Sequence, residues 1–390
     1  MSQQLINLSS DLKRLRDEGY NVQIRSGYLV LMEIPYVNSQ REVKRGALVS
    51  DLTLAGDRTA RPADHVARFA GEHPCNSDGS EISQIKHGSA PQAVDDHLTT
   101  QHSFSSKPPE GYKDYYDKMT TYIAIISHPA RAIDPNVTAQ TYPVIEPDED
   151  DSPFNYIDTA SSRADIVAAT KKLKLSKVAI VGVGGTGSYV LDFVAKTPIK
   201  EIHLFDGDTF LQHNAFRAPG APSLAELRRS PKKVGYLRGR YSKMHRGIVA
   251  HAYFLDASNA GELEGMDFVF LCLDGGEYKS HVIEKLEELR IPFVDTGMGI
   301  QLVDDALVGL IRLTTSTAQK REHVRDRIGF ADDGDNEYSR NIQIADLNAL
   351  NAALAVIRWK KLFGFYKDHE GEHHSAYDID GNIIHNEEKV

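Results

Sequence analysis

Residues 177–208 read KVAIVGVGGTGSYVLDFVAKTPIKEIHLFDGD, and the order of features in this stretch decides the fold. An apolar strand at 178–181 runs into Gly182, Gly184, Gly185 and Gly187. A helix follows, then a second apolar strand that ends at Asp206. A strand, a glycine turn, a helix and a strand closed by an acid make the unit that wraps a nucleotide. Glycine is needed because the backbone must turn tightly and let phosphate oxygens approach its N–H groups. The helix beginning near Gly187 offers unpaired donors and a positive dipole end to an anion.

Working outward, apolar runs predict further strands at 249–255, 268–273, 292–295 and 307–313. Helices are expected between them at 187–196, 223–244 and 278–289. Strands alternating with helices imply a parallel sheet covered on both faces, an α/β, Rossmann-like domain. A long helix is expected at 344–365, and Asp380-Gly381-Asn382 between short alternating segments suggests a hairpin. Upstream, EPDEDDSP at 146–153 is acidic and carries proline without apolar periodicity, which marks a boundary. The expected organisation is a smaller α+β domain over 1–145, a linker over 146–160, the nucleotide domain over 161–367 and a tail over 368–390. In the smaller domain a helix is expected at 5–18, two strands around Gly27, short strands at 53–54 and 65–70, and a helix at 112–127.

Bulk properties narrow the class. With 390 residues, 41% hydrophobic and 26% charged, the chain fits an ordinary globular protein of two domains. A formal net charge of −10 argues against non-specific nucleic-acid binding. No apolar run reaches the roughly 20 residues of a membrane helix. The first twenty residues are polar and amphipathic, unlike a signal peptide. Two cysteines exclude a disulfide framework, and no Cys-x-x-Cys pair suggests zinc. A cytoplasmic, reduced protein is the expectation.

A glycine loop alone is shared by NAD enzymes, flavoenzymes and methyltransferases. The ordered residues that follow it here are Asp206-Gly207-Asp208, Asn214, Arg217, Lys233 and Asp274. This series resembles the adenylating domain of the ThiF/MoeB and ubiquitin-activating-enzyme superfamily, over about 163–313 and more weakly in the long C-terminal helix. The resemblance implies an ATP- and Mg2+-dependent adenylyltransferase. Its substrate would be the C-terminal carboxylate of a ubiquitin-like or sulfur-carrier protein, and it would work as a homodimer. By the same resemblance, Gly182, Gly184, Gly185 and Gly187 shape the phosphate loop. Asp206 bonds the ribose hydroxyls, and Asp208 shapes the site. Asn214 and Arg217, as N-x-x-R, contact the triphosphate, with Lys233 near its phosphates. Asp274 holds magnesium, and Arg163 reaches into a partner subunit's site. The chemistry agrees, because a carboxylate attacking an α-phosphate brings two anions together and needs cations and a metal.

Taken singly, these residues have plainer readings. Arg217 and Lys233 would serve as solvated charges, Asp274 as a cap for the helix near Tyr278, and Asp206 as the acid of an NAD enzyme. Two other classes therefore stand beside the adenylyltransferase: a NAD-dependent oxidoreductase, and an inert adaptor that kept the nucleotide fold. The chain also departs from its relatives. Ubiquitin-activating enzymes carry an acceptor cysteine beyond the nucleotide domain, and residues 314–340 here contain none. Cys272 sits in an apolar strand and reads as core. Cys75 follows His73-Pro74 in a polar turn and reads either as structural or as a nucleophile. Ser316 and the threonines beside it are the remaining acyl acceptors, with no base evident. The family's Asp-Asn is replaced by Asp274-Gly275-Gly276. His373 and His374, with His369 and His385 nearby, read as a solvated tail, and Trp359 as core. Arg41, Lys44 and Arg45 offer charge to an acidic partner.

Overall fold

The computed structural model describes residues 2–147, 152–274, 276–329 and 342–390. The middle of the acidic linker, Gly275 and the acidic run at 332–337 lie outside them. The chain divides into two compact units, Met1–Asp148 and Glu149–Val390.

The first unit is built on one antiparallel sheet. Its strands are β1 (Asn21–Arg25), β2 (Tyr28–Val37), β3 (Val43–Asp51), β6 (Val66–Ala70), β7 (Lys86–Asp95) and β8 (Leu98–Ser105), in the order β1-β2-β3-β6-β8-β7. A two-stranded ribbon, β4 (Leu54–Ala55) with β5 (Arg58–Thr59), is separate. The helix Tyr115–Ile133 is capped by Asp114, whose carboxylate accepts from the Asp117 N–H. It packs Tyr115, Met119, Tyr122 and Ile126 among Leu29, Leu31, Leu48, Phe69 and Phe104 to form the core. Three features differ from expectation. The helix expected over 5–18 is two, Ser2–Leu8 and Ser10–Asp17, divided at Ser9, whose backbone is extended. Residues 43–51 form a strand, because Ala47 to Ser50 are buried against both neighbours. Residues 86–105 form a hairpin whose outer strand is exposed on both faces and so lacks an apolar signature.

The second unit holds an eight-stranded mixed sheet. Its strands are β9 (Lys177–Val181), β10 (Glu201–Phe205), β11 (Ile248–His251), β12 (Phe268–Leu271), β13 (Phe293–Val303), β14 (Ala306–Ser316), β15 (Glu372–Asp378) and β16 (Ile383–Lys389). The order is β11-β10-β9-β12-β13-β14-β15-β16. Pairing is parallel from β11 through β13 and antiparallel beyond. The parallel strands read as unbroken apolar runs because both faces are covered. Val178 and Ile180 pack with Val190, Leu191, Phe270 and Trp359 on one side. Ala179 and Val181 pack with Val269, Leu271, Val282 and Leu286 on the other. The chain leaves β9 toward β10 and β11, then returns past β9 to β12. That reversal opens a crevice at the C-terminal ends of β9 and β12, where open α/β sheets bind ligands.

Three expectations for this unit need correction. The helix expected over 223–244 is two, Leu224–Arg228 and Lys233–Tyr241, because Ser230 takes a positive φ and Pro231 cannot continue a helix. The strands at 292–295 and 307–313 are parts of one long hairpin turned by Asp304 and Asp305, both at positive φ. Residues 372–389 are no tail: β15 pairs with β14 and β16 closes the sheet, with Gly381 and Asn382 in the turn. His373 and His374 are accordingly buried. Among the described residues no helix is long and apolar enough to cross a membrane.

Candidate functional site

The glycine loop occupies the C-terminal end of β9. Gly182 has φ +83°, and a Cβ there would lie 2.5 Å from the Cys272 carbonyl oxygen. A Cβ on Gly187 would lie 1.9 Å from the Gly182 oxygen, so the helix can start this close to the strand only with glycine. Gly185 packs with its Cα against the Asn348 amide. Gly184 differs, since nothing lies within 4 Å of the Cβ position. The helix runs Gly185–Val194, two residues earlier than expected, with Gly184 as N-cap and no side chain capping it. Its first N–H groups are therefore left to a ligand or to water.

Asp206 ends β10 and is buried. Its Oδ2 accepts from the Val183 N–H at 2.9 Å and its Oδ1 from the Asp208 N–H at 2.8 Å. The acid is thus aimed at the glycine loop by the backbone itself. Lys233, also buried, donates to Asp208 Oδ2 at 2.6 Å and stands 3.7 Å from Asp206 Oδ2. The Lys233 N–H bonds the Asp208 carbonyl, and Lys232 Nζ bonds that of Gly207. The helix Lys233–Tyr241 is by these bonds stapled to the Asp-Gly-Asp turn.

Asn214 and Arg217 lie on and just beyond the short helix Gln212–Ala215. Asn214 Oδ1 accepts from the Leu211 N–H at 2.8 Å, which shapes the turn, and its buried Nδ2 has no partner among the described residues. Nor has the buried Nε of Arg217. A buried guanidinium nitrogen without a partner is costly and is commonly satisfied by an anion or water. Asp274 follows β12 and is exposed. The helix after it starts at Glu277 with Gly276 as N-cap, so Asp274 does not cap it. Arg163 ends the helix Thr159–Arg163 and is exposed.

Two side chains that the sequence reading passed over complete the arrangement. Asn348, fully buried in the helix Ala345–Leu362, accepts from Thr186 Oγ1 at 3.1 Å and donates to the Arg217 carbonyl at 3.2 Å. One amide thereby ties the glycine helix, the Arg217 turn and the long helix. Its signal was visible as an asparagine inside an apolar helical stripe. Lys279 is buried, with Nζ 2.5 Å from Asp295 Oδ1 and 3.3 Å from the Leu273 carbonyl, under the loop that carries Asp274.

The cysteines and the hydroxyl run are not placed as acyl acceptors. Cys75 is buried, and burial, with Glu81, Asp78 and Glu72 nearby, raises its thiol. Of the two readings of Cys75, burial supports the structural one over the nucleophile. Cys272 is partly exposed as a residue, yet burial pushes its thiol up to about 12. Thr314, Thr315 and Ser316 are buried at the end of β14. Lys44 pairs with Glu42 at 2.9 Å, and Arg45 bonds the carbonyls of Glu33 and Thr138, so these cations are largely used within their own unit.

Comparison with known proteins gives two family matches. Residues 160–301 match the ThiF family, and residues 10–159 match a domain of unknown function, DUF6791. Ubiquitin-like modifier-activating enzyme 5 of Oryza sativa subsp. japonica is 25% identical over 209 residues, covering 50% of this chain and 48% of that protein. The Mus musculus protein of the same name is 29% identical over 175 residues, 42% of each. The chain spans less than half the length of these relatives. Among solved structures, PaaA is 20% identical with a TM-score of 0.44, covering 57% of this chain and 76% of that one. E. coli MccB with ATP is 19% identical with a TM-score of 0.42, covering 57% and 66%.

Proposed function

From the match of residues 160–301 to the ThiF family, we propose that this protein is an ATP-dependent adenylyltransferase. It activates the C-terminal carboxylate of a ubiquitin-like or sulfur-carrier protein ending in glycine. A carboxylate oxygen attacks the α-phosphorus of ATP, the bond from that phosphorus to the bridging oxygen breaks, and pyrophosphate leaves with its electron pair. The product is an acyl-adenylate. Such a step requires charge neutralisation and alignment more than acid–base chemistry.

The observation that carries the reading is the buried Nε of Arg217, without a partner among the described residues, on a turn that one amide of Asn348 ties to an uncapped helix N-terminus. Arg217 offers a planar fork of donors to phosphate oxygens. Lys233 uses one of its three donors on Asp208 and keeps two for the nucleotide. Asp206 holds the sugar hydroxyls with the acceptor capacity left by its two backbone bonds, and Gly182, Gly184, Gly185 and Gly187 let phosphates approach. Asn214, with Nδ2 free of partners among the described residues, adds a donor. Asp208 orients Lys233.

Among the described residues no three His, Cys, Asp or Glu side chains are grouped to hold a metal. A lone exposed Asp274 suits Mg2+, which takes one or two carboxylates and completes its shell with phosphate oxygens and water. The ion would supply charge neutralisation at the phosphates. In this reading the protein is a cytoplasmic homodimer to whose partner site Arg163 contributes, and the buried thiols favour adenylation without a thioester.

Carrier-dependent exchange of labelled pyrophosphate into ATP tests the proposal. Exchange only with a diglycine-ended carrier supports it. Tight MgATP binding without exchange, given any carrier, would point to the inert adaptor, and NAD binding in place of ATP to an oxidoreductase.

A further inference from the structure

Phe254 is 51% exposed, while Phe205 and Leu255 close by are buried. It lies three residues beyond the end of β11, and its ring rests on Gly207. A Cβ on that glycine would meet ring carbons at 2.7–3.0 Å. The ring therefore lies over the backbone next to Asp206. The loop is held in place, since Asn259 Nδ2 donates to the Phe254 carbonyl at 2.9 Å and Asn259 Oδ1 accepts from the Asp256 N–H at 2.8 Å.

The sheet order gives this ring a meaning. The glycine loop ends β9, Asp206 ends β10 and Phe254 follows β11, three adjacent strands about 4.8 Å apart. A nucleotide lying across these strand ends has its phosphates at the first, its sugar at the second and its base at the third. The spacing of the three chemical parts along a nucleotide is of the same order. We propose that Phe254 is the platform on which the nucleobase stacks, with Gly207 left without a side chain so that the ring can settle beside the sugar-binding acid. The inference rests on the nucleotide reading above and assigns the residue that grips the base. Aromatic stacking accepts any base, so this contact sets affinity for nucleosides over bare polyphosphate, without discriminating adenine from guanine.

The test is calorimetric titration of the full chain with MgATP and, separately, with magnesium tripolyphosphate. Phe254→Ala is expected to weaken MgATP about tenfold, from the loss of one base–aromatic stack. It should leave tripolyphosphate binding as in the wild type, and Phe254→Trp should retain MgATP affinity. Because the ring is half exposed and outside the buried cores, the variants should fold normally. Unchanged MgATP affinity in Phe254→Ala, or an equal loss for tripolyphosphate, would overturn the platform while leaving the nucleotide site standing. If the wild type takes up no MgATP, the site reading fails and the platform fails with it.

Discussion

Replacing Asn348 separates a site residue from a packing residue. Its amide makes two hydrogen bonds, to Thr186 Oγ1 at 3.1 Å and to the Arg217 carbonyl at 3.2 Å, and is fully buried. Truncation to alanine removes both and strands the Arg217 carbonyl, at about 1 kcal/mol for each bond, or about 2 kcal/mol together. Asn348→Asp is the sharper variant, because it keeps the acceptor for Thr186 but turns an oxygen toward the Arg217 carbonyl. It should cost at least as much as alanine, although it differs from wild type by one NH2 group. The chain has a single tryptophan, Trp359, fully buried eleven residues further along the same helix, so its fluorescence reports only the unit that holds the site. With a urea slope of about 2–3 kcal/mol/M, a 2 kcal/mol loss lowers the midpoint by roughly 0.7–1 M. MgATP affinity should fall as well, since the glycine helix and the Arg217 turn lose their common tie. Wild-type midpoints and wild-type MgATP affinity in both variants would refute the assignment.

Four further outcomes follow from the structure. Gly187→Ala should destabilise the unit and abolish MgATP binding, because its Cβ would overlap the Gly182 carbonyl. Gly184→Ala, with open space at its Cβ, should leave the urea midpoint unchanged and still weaken MgATP; unchanged binding would show that no phosphate approaches the loop there. Cys75→Ser with Cys272→Ser should retain carrier-dependent pyrophosphate exchange, and loss of exchange on gentle alkylation of the native protein would contradict the buried thiols. His323, His373, His374 and His245 are held below the usual histidine value, chiefly by burial. The unfolded chain therefore binds more protons as pH falls below about 6.5, so stability is intact above that pH and declines beneath it. Urea midpoints between pH 7.5 and 5 should fall, less steeply in His373→Gln, and a midpoint that rises on acidification would be inconsistent.

The parallel half of the sheet could be read directly because burial on both faces leaves uninterrupted apolar runs, as in Val178 to Val181 and Phe268 to Leu271. The glycine pattern was equally legible, with Gly182, Gly185 and Gly187 each answering to a steric demand of the strand-to-helix turn. What escaped depends on partners distant in sequence. β15 contains His373, His374 and Ser375, which look solvated until β14 and the long helix cover them. Asn348 and Lys279 acquire their significance only through Thr186, Arg217 and Asp295, remote in the chain. Cys75 has polar neighbours in sequence, yet the pairing of Val37 with Cys75 draws it inside.

Calorimetric titration of the full chain with MgATP, set beside NAD and beside the Lys233→Ala variant, probes the central claim most directly. The account predicts saturable uptake of MgATP by the wild type, severe weakening in Lys233→Ala and no uptake of NAD. Saturation by NAD with no heat from MgATP would contradict it.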